Sequence, residues 1–171
     1  MTRIIDAVFH CSLAIWLGAS VARLVVGYDA FVAGTTTLKS WYTAGQQMHD
    51  IWLYTLLAGW TGWSFGVMAL LGIIGLLLKR KQWKQHAWMV MVLIFLVLLL
   101  PAQAWLIAKD VELWSMFNAA TGLPSTSVES VTSIFVHRMT GTEFSVVNGL
   151  VILMGLTMVG TLAMRPLTKN D

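Results

Sequence analysis

The four histidines are the side chains of this sequence best suited to bind a metal or a cofactor. His10 and His86 belong to one end of the apolar segments, and His49 and His137 belong to the other end. Neutral imidazole is a good axial ligand for haem iron, and two cross-membrane imidazole pairs would suit a dihaem cytochrome. Only His10 lies well inside an apolar segment, so we predict at most one b-type haem, with His10 as an axial ligand. The alternative for His10 is a packed histidine bonded to a neighbouring helix.

A second candidate site combines thioether and imidazole groups at the other end of the apolar segments. Met48 is followed directly by His49, and Met139 follows His137 by two residues. Soft thioethers together with imidazoles suit copper, so these four side chains are a candidate copper site. No spacing typical of a hydrolase triad, a phosphate-binding glycine loop or a zinc motif is present. We therefore predict no catalytic residues.

Polar side chains inside apolar segments are costly in lipid, so each of them is also a candidate site. Arg23 lies one turn from the end of the first segment, where its long side chain can extend to the interface. We predict that it forms an ion pair with Glu143 or Asp50 instead, as a structural feature. For Gln103 and Asn148 we predict hydrogen bonds between helices.

The elements that position these residues are four apolar segments. Hydrophobic residues make up 57% of the chain and charged residues only 11%, and the mean hydropathy is +0.74. A soluble domain carries roughly 25% charged residues, so the composition excludes a soluble enzyme, a nucleic-acid-binding protein and a disordered chain. A membrane helix needs about 20 apolar residues. We predict four spans, at Ile4–Val26, Ile51–Leu78, Ala87–Ala108 and Phe144–Met164.

One connection, between the third and fourth spans, is long enough to fold. Gly122–Pro124 is a break in this connection, and Thr126 with Glu129 three residues later matches a capping box. Apolar residues then follow at helical spacing, so we predict an amphipathic outer helix over Thr126–Thr140. The predicted fold is an all-α, four-helix membrane bundle with this short outer helix, in a single domain of residues 1–171.

The distribution of charge predicts how the bundle is oriented. If both termini face inward, the inner side carries seven basic and two acidic residues, whereas the outer side carries four basic and six acidic residues. The positive-inside rule, dominated by the short connection Lys79–Lys84, then places both termini in the cytoplasm. We expect an integral protein of a bacterial inner membrane. A cleavable signal peptide ending near Ser20–Ala22 is the alternative for the first segment.

Two stripes of small residues predict how the first two spans pack. Membrane helices associate through close packing of small residues, because leucine gains nothing by leaving lipid. We predict that the two spans are antiparallel neighbours in contact along these stripes, which are Ala14, Gly18 and Ala22 on the first span and Ala58, Gly62 and Gly66 on the second.

Both ends of the chain resemble a group of small four-helix membrane families. The opening, from Phe9-His10-Cys11 through Ile15–Gly18, is similar to the first helix of the transmembrane-protein-205-like family, a domain of unknown function. It is also similar to the membrane domain of copper-resistance protein D and to the small haem-binding protoporphyrinogen oxidases. The segments Phe135–Arg138 and Ser145–Asn148 resemble the last helix of the first family. The resemblance implies the four-helix fold and, for His10 alone, a role as haem ligand.

These observations predict a small non-catalytic membrane protein. We expect an accessory subunit or a helix-bundle binding module, in contact with the lipid bilayer and with other membrane subunits or copies of itself, and not with nucleic acid. One alternative is a haem-handling or electron-transfer protein built around His10. The other is a copper-handling protein that uses the outer-face residues Met48, His49, His137 and Met139.

Overall fold

The computed structural model describes residues 2–166, and this part of the chain is mostly helical. It contains no β-strand, only isolated bridges between Phe31 and Leu38 and between Phe117 and Pro124. Lys169 and Asp171, which entered the charge count, lie outside the described residues. The helices are α1 (Thr2–Asp29), α2 (Ala44–Leu78), α3 (Trp88–Trp114), α4 (Val128–Thr140) and α5 (Thr142–Met164), with a short 3-10 turn at Arg80–Gln82.

Four of these helices, α1, α2, α3 and α5, are long and apolar enough to cross a membrane. The predicted all-α bundle with four spanning helices is thus confirmed. The helices are longer than the predicted spans. α2 begins at Ala44 because Thr43 and Gln46 form a capping box, and α3 continues to Trp114 because no helix-breaking residue follows Ala108 in that stretch.

The bundle has two ends with different contents. The terminal end is the end of the bundle at which α1 and α3 begin and α2 and α5 end. We call the loop end the opposite one, which holds the connections of residues 30–43 and 115–127 together with α4. The N-cap of α4 is Ser127, whose hydroxyl accepts a hydrogen bond from the Ser130 amide, and not Thr126 as predicted.

The loop end is closed by a cluster of buried aromatic and aliphatic side chains. Val131 and Phe135 of α4 are fully buried there. The Phe135 ring stacks on Phe31 at 5.9 Å and meets the Tyr54 ring edge-on at 5.4 Å. α4 therefore packs across the loop end of the spanning helices. Gly122, with a φ of 69°, brings the backbone of the second connection against Trp52.

The first connection is fixed to the end of α1 by an exposed polar group. The Lys39 ammonium donates hydrogen bonds to the Tyr42 hydroxyl and to the Asp29 carboxylate, both at 3.0 Å. These two bonds raise the pKa of Lys39 above its usual value. The chain reverses at Gly34, whose φ of 75° is readily adopted only by glycine.

Large side chains, and not the small-residue stripe, form the inner face of α1. Phe9, Leu13 and Trp16 are buried, and Trp16 packs against Phe65 of α2 and against Gly155 of α5. α1 and α2 are antiparallel neighbours with the most extensive contact in the bundle. Close approach between them occurs at Gly72, where a Cβ atom would lie 2.7 Å from the Phe9 ring.

The predicted packing stripes are therefore wrong for most of their members. Ala14, Gly18 and Ala22 are exposed because they lie on the face of α1 opposite to Trp16. Of the three stripe residues on α2, only Ala58 is a buried hydrophobic side chain. Gly62 faces Ile107 of α3, and Gly66 has open space where a Cβ atom would be.

Candidate functional site at the two ends of the bundle

A buried ion pair between α1 and α3 is the main polar feature of the loop end. The Arg23 guanidinium donates from Nη1 to Asp110 Oδ2 at 2.6 Å and from Nη2 to Asp110 Oδ1 at 2.7 Å. Arg23 is 7% exposed and Asp110 is 6% exposed. This two-bond geometry is the strongest arrangement available to an arginine and a carboxylate.

Two further side chains extend this pair into a network that joins four helices. Arg23 Nη2 also donates to the Tyr54 hydroxyl of α2 at 2.6 Å, and the guanidinium lies 4.5 Å from the centre of the Tyr54 ring. From α4, Arg138 Nε donates to Asp110 Oδ1 at 3.0 Å. The Arg138 guanidinium also lies 4.7 Å from the Phe144 ring. Asp110 therefore holds α1, α3 and α4 together through charge-assisted hydrogen bonds, and Tyr54 adds α2.

The predicted ion pairs of Arg23 with Glu143 or Asp50 are wrong. Glu143 lies beside His137 instead, with 3.3 Å between Oε1 and Nε2. Arg23 pairs with Asp110 instead of either acid. Helix α3 continues past Ala108, and this places Asp110 on its buried face, one turn after Leu106.

The predicted interhelical hydrogen bonds of Gln103 and Asn148 are also wrong for the part of the chain that the structure describes. Gln103 is buried, but Leu99 and Leu106 flank it on the inner face of α3. Asn148 lies between Phe144 and Val151 on the inner side of α5.

The terminal end contains a cavity of about 380 Å³ among α1, α2, α3 and the end of α5. Its volume lies in the range of small-molecule binding sites, about 300–1,000 Å³. The wall is mixed in character. The apolar residues are Phe9, Leu71, Gly72, Gly75, Leu76, Trp88, Met89, Val92 and Leu162, and the polar ones are Asp6, His10, Lys79, Gln82, His86 and Arg165.

The polar groups of this cavity are more exposed than those of the loop end. Lys79 Nζ donates to both carboxylate oxygens of Asp6, at 2.6 and 2.7 Å, in a partly exposed pair. Arg165 lies 5.8 Å from the centre of the Trp88 ring. Nδ1 of His86 is enclosed, and it has no hydrogen-bond partner among residues 2–166. The residue His86 itself belongs to the cavity wall.

The orientation of His10 suits a ligand role. Its Nδ1 lies 2.6 Å from the backbone carbonyl oxygen of Asp6. Because a carbonyl oxygen only accepts, Nδ1 carries the proton, and Nε2 of a neutral ring keeps its lone pair. This is the arrangement that orients imidazoles for metals. His10 and His86 line the same cavity as the cationic residues Lys79 and Arg165.

The four residues of the predicted copper site differ in burial. Met48 and Met139 are buried in the loop-end cluster, whereas His49 and His137 are exposed. Helical geometry separates them, because residues one or two positions apart point to different faces. Within residues 2–166, no group of three or more His, Cys, Asp or Glu side chains is placed to hold a metal ion. The predicted copper site, which includes two methionines, stays a prediction.

Several residues of both sites were missed at the level of sequence. Asp110 was assigned to a connection, although its spacing of seven from Gln103 places both on one helical face. Lys79 and Arg165 lie just outside the predicted spans, and Arg138 lies in the predicted outer helix. His86 was set aside because it lies at the end of a span, yet the turn before α3 brings it to the same cavity as His10.

The chain matches no family model, and no curated protein or solved structure is significantly similar to it.

Proposed function

We propose that the protein is a non-catalytic binding module of the membrane whose ligand site is the terminal-end cavity. One observation carries this proposal: the cavity combines a ligand-sized volume with a mixed wall, in which His10, Lys79 and His86 lie among apolar side chains. A concave, mostly apolar site with a few converging polar groups is the usual form of a small-molecule site.

The wall of the cavity favours an amphiphile with an acidic head group. Its polar part contains Lys79, two imidazoles and one carboxylate, Asp6, which already accepts from Lys79. The remaining wall is apolar and suits a hydrocarbon body. A long-chain carboxylate meets both requirements, and it partitions into the bilayer next to this end of the bundle.

Fluorescence quenching tests this proposal. In mild detergent, 9,10-dibromostearate quenches tryptophans that its bromine atoms contact, and Trp88 lies in the cavity wall. We expect saturable quenching that is mostly absent in Trp88→Phe. His86→Phe weakens binding about tenfold, the effect of losing one hydrogen bond to a charged group.

His49→Phe is the matched control, because it changes an exposed histidine at the loop end. It leaves the dissociation constant unchanged. Quenching that never saturates, or equal binding by the His86 and His49 variants, would contradict the proposal.

A b-type haem is the second candidate ligand of the same cavity. The shared location of His10 and His86 and the proton position on His10 Nδ1 support it. The visible absorption spectrum of the purified protein, oxidised and then reduced with dithionite, tests it. A sharp reduced band that is lost in His10→Ala supports haem binding, whereas a colourless protein from haem-replete cells excludes it and leaves the carboxylate ligand.

The exposed stripe of small residues on α1 supports the accessory-subunit part of this function. Ala14, Gly18 and Ala22 are exposed, and small residues are the usual contact between membrane helices. Cys11, the single cysteine of the chain, is exposed and lies two turns from Gly18 on the same face. Two copies related by a twofold axis along the membrane normal would bring both Cys11 residues to the same depth.

Oxidative cross-linking of Cys11 in membranes tests this association. We expect a disulfide-linked dimer that is lost in Gly18→Leu and kept in Gly59→Leu, which changes an equally open glycine of α2. Cross-linking that survives Gly18→Leu would contradict an interface at this stripe. No dimer in either protein, with a different protein co-purifying in a Gly18-dependent manner, would identify a hetero-subunit partner instead.

The charge distribution supports a location in a bacterial inner membrane, with the terminal end facing the cytoplasm. Lys79, Arg80, Lys81 and Lys84 all lie in the short turn between α2 and α3, where basic residues determine orientation most strongly.

A further inference from the structure

An open groove of about 480 Å³ lies on the outside of α2, at the terminal end of the bundle. We call it the α2 groove, and its wall consists of Ile74, Leu77, Leu78, Arg80 and Lys81. All five residues are exposed, and none of them lines the terminal-end cavity. The α2 groove is therefore a separate feature, on the side of the helix that faces lipid.

The apolar side chains of the α2 groove continue a longer exposed stripe of the same helix. Val67 and Leu70 precede Ile74 at helical spacing and are exposed like it. From Val67 to Leu78 the helix rises about 16 Å, which matches the depth of one leaflet, about half of the 30 Å hydrocarbon core. An acyl chain that lies along this stripe therefore meets apolar side chains through the whole leaflet.

The two cations at the end of the stripe have no acidic partner within residues 2–166. Lys79, one residue earlier, lines the terminal-end cavity and donates to Asp6. Residues 79–87 contain no acid, and none of the ion pairs in the described chain includes Arg80 or Lys81. This end of the groove is thus positively charged and complementary to an anion.

We propose that the α2 groove binds one anionic phospholipid, with the phosphate at Arg80 and Lys81 and an acyl chain along the exposed stripe. The planar guanidinium of Arg80 matches two phosphate oxygens, and the ammonium of Lys81 adds a point charge. Clusters of basic residues next to a spanning helix attract anionic lipid head groups.

The charges around the groove also select the head group. Because no acid lies in the turn of residues 79–87, a head group that carries its own cation gains no partner there. Phosphatidylglycerol is therefore preferred to phosphatidylcholine. This site is independent of the terminal-end cavity and of its ligand.

Native mass spectrometry of the purified full-length protein in mild detergent tests the proposal. Phosphatidylglycerol or phosphatidylcholine is added at increasing concentration, and the lipid molecules retained per chain are counted. We expect one phosphatidylglycerol molecule per chain at concentrations where phosphatidylcholine is not retained. Arg80→Gln and Lys81→Gln each weaken retention about fivefold, the contribution of one basic residue near an anionic head group.

Lys84→Gln is the matched control, because Lys84 is an exposed cation of the same turn that does not line the groove. It retains phosphatidylglycerol like the unchanged protein. General attraction of anionic lipid to a basic surface would make the three substitutions equivalent, and that result would overturn the proposal.

His86→Phe distinguishes the α2 groove from the terminal-end cavity, whose wall includes His86. We expect this variant to retain phosphatidylglycerol like the unchanged protein. A loss of retention in His86→Phe and not in Arg80→Gln would locate the lipid in the cavity and overturn the proposal.

Ile74→Trp keeps the inference testable if the loss of a basic residue alters the orientation of the protein in the membrane. It fills the groove without changing a charge, so we expect retention of phosphatidylglycerol to fall. Ile94→Trp is its control, since Ile94 is an equally accessible isoleucine on the outside of α3. Equal retention by the two tryptophan variants, or equal retention of the two lipids by the unchanged protein, would overturn the proposal.

Discussion

The two ends of this bundle place similar charged groups in opposite environments. At the loop end, Asp110 and Arg23 are both 8% exposed at their side chains, and α4 covers them. At the terminal end, Lys79 is 24% exposed and Asp6 is 42% exposed, beside a cavity. Each pair joins an aspartate to a cation at 2.6 Å. Distance alone therefore does not distinguish them.

The difference lies in what replaces water around the charges. Breaking a buried ion pair is strongly destabilising, because the remaining charge is not solvated by water. A partly exposed pair contributes little, because water solvates either partner when the other is lost. The loop end is thus fixed by its charges, whereas the terminal end can change its pairing around a ligand.

The largest expected effect comes from breaking the buried pair. Asp110→Asn leaves Arg23 and Arg138 buried without a carboxylate, and we expect it to lower the free energy of unfolding by about 3–5 kcal/mol. Unfolding in mixed detergent and denaturant, followed by tryptophan fluorescence, measures this change.

Glu112→Gln is its matched control, since Glu112 is an exposed acid two residues further along α3. It leaves the free energy of unfolding close to that of the unchanged protein. A similar effect of both substitutions would mean that the loop end is no more fixed by its charges than the surface is.

The second effect concerns the close contact beside the cavity. In Gly72→Ala, the new methyl group meets the Phe9 ring at 2.7 Å and Leu96 at 2.8 Å. Overpacking of this kind costs about 1–3 kcal/mol. Gly66→Ala gains the same helix propensity on the same helix but has open space around the methyl group.

The difference in unfolding free energy between these two variants therefore isolates the packing cost. If the two variants are equally stable, Phe9 has moved into the cavity at no cost, and the terminal end is more adaptable than its contacts indicate.

The smallest effect is expected at the exposed pair. Asp6→Asn removes the partner of Lys79, and we expect a loss below about 1 kcal/mol that shrinks further in high salt. The same unfolding assay measures it at low and high ionic strength. A loss as large as that of Asp110→Asn, insensitive to salt, would remove the contrast between the two ends.

The sequence predicts the spanning helices well because their length and apolarity are properties of consecutive residues. It does not predict which face of each helix points inward. On α1, both the small stripe around Gly18 and the large side chains around Trp16 have helical spacing. The structure shows that Trp16 is the buried one, because it packs against Gly155 of α5. Sequence spacing therefore placed the small stripe in a contact that it does not make.

The candidate sites were predicted less completely because they depend on contacts between distant segments. Arg23 was recognised as unusual from its position inside an apolar segment. Its partner Asp110 lies 87 residues away, and two acids closer to the expected depth were equally plausible choices. His10 was likewise recognised from its own segment, but its neighbour across the cavity, His86, depends on the turn before α3.

Hydrogen–deuterium exchange of the purified protein, with and without stearate, tests the contrast between the two ends most directly. We expect the turn of residues 79–87 to exchange rapidly in the free protein and slowly with stearate. Backbone amides of residues 106–113 and 131–139 exchange slowly in both states. Rapid exchange at the loop end without ligand, or protection by stearate at the loop end and not at residues 79–87, would contradict a fixed loop end and a ligand-binding terminal end.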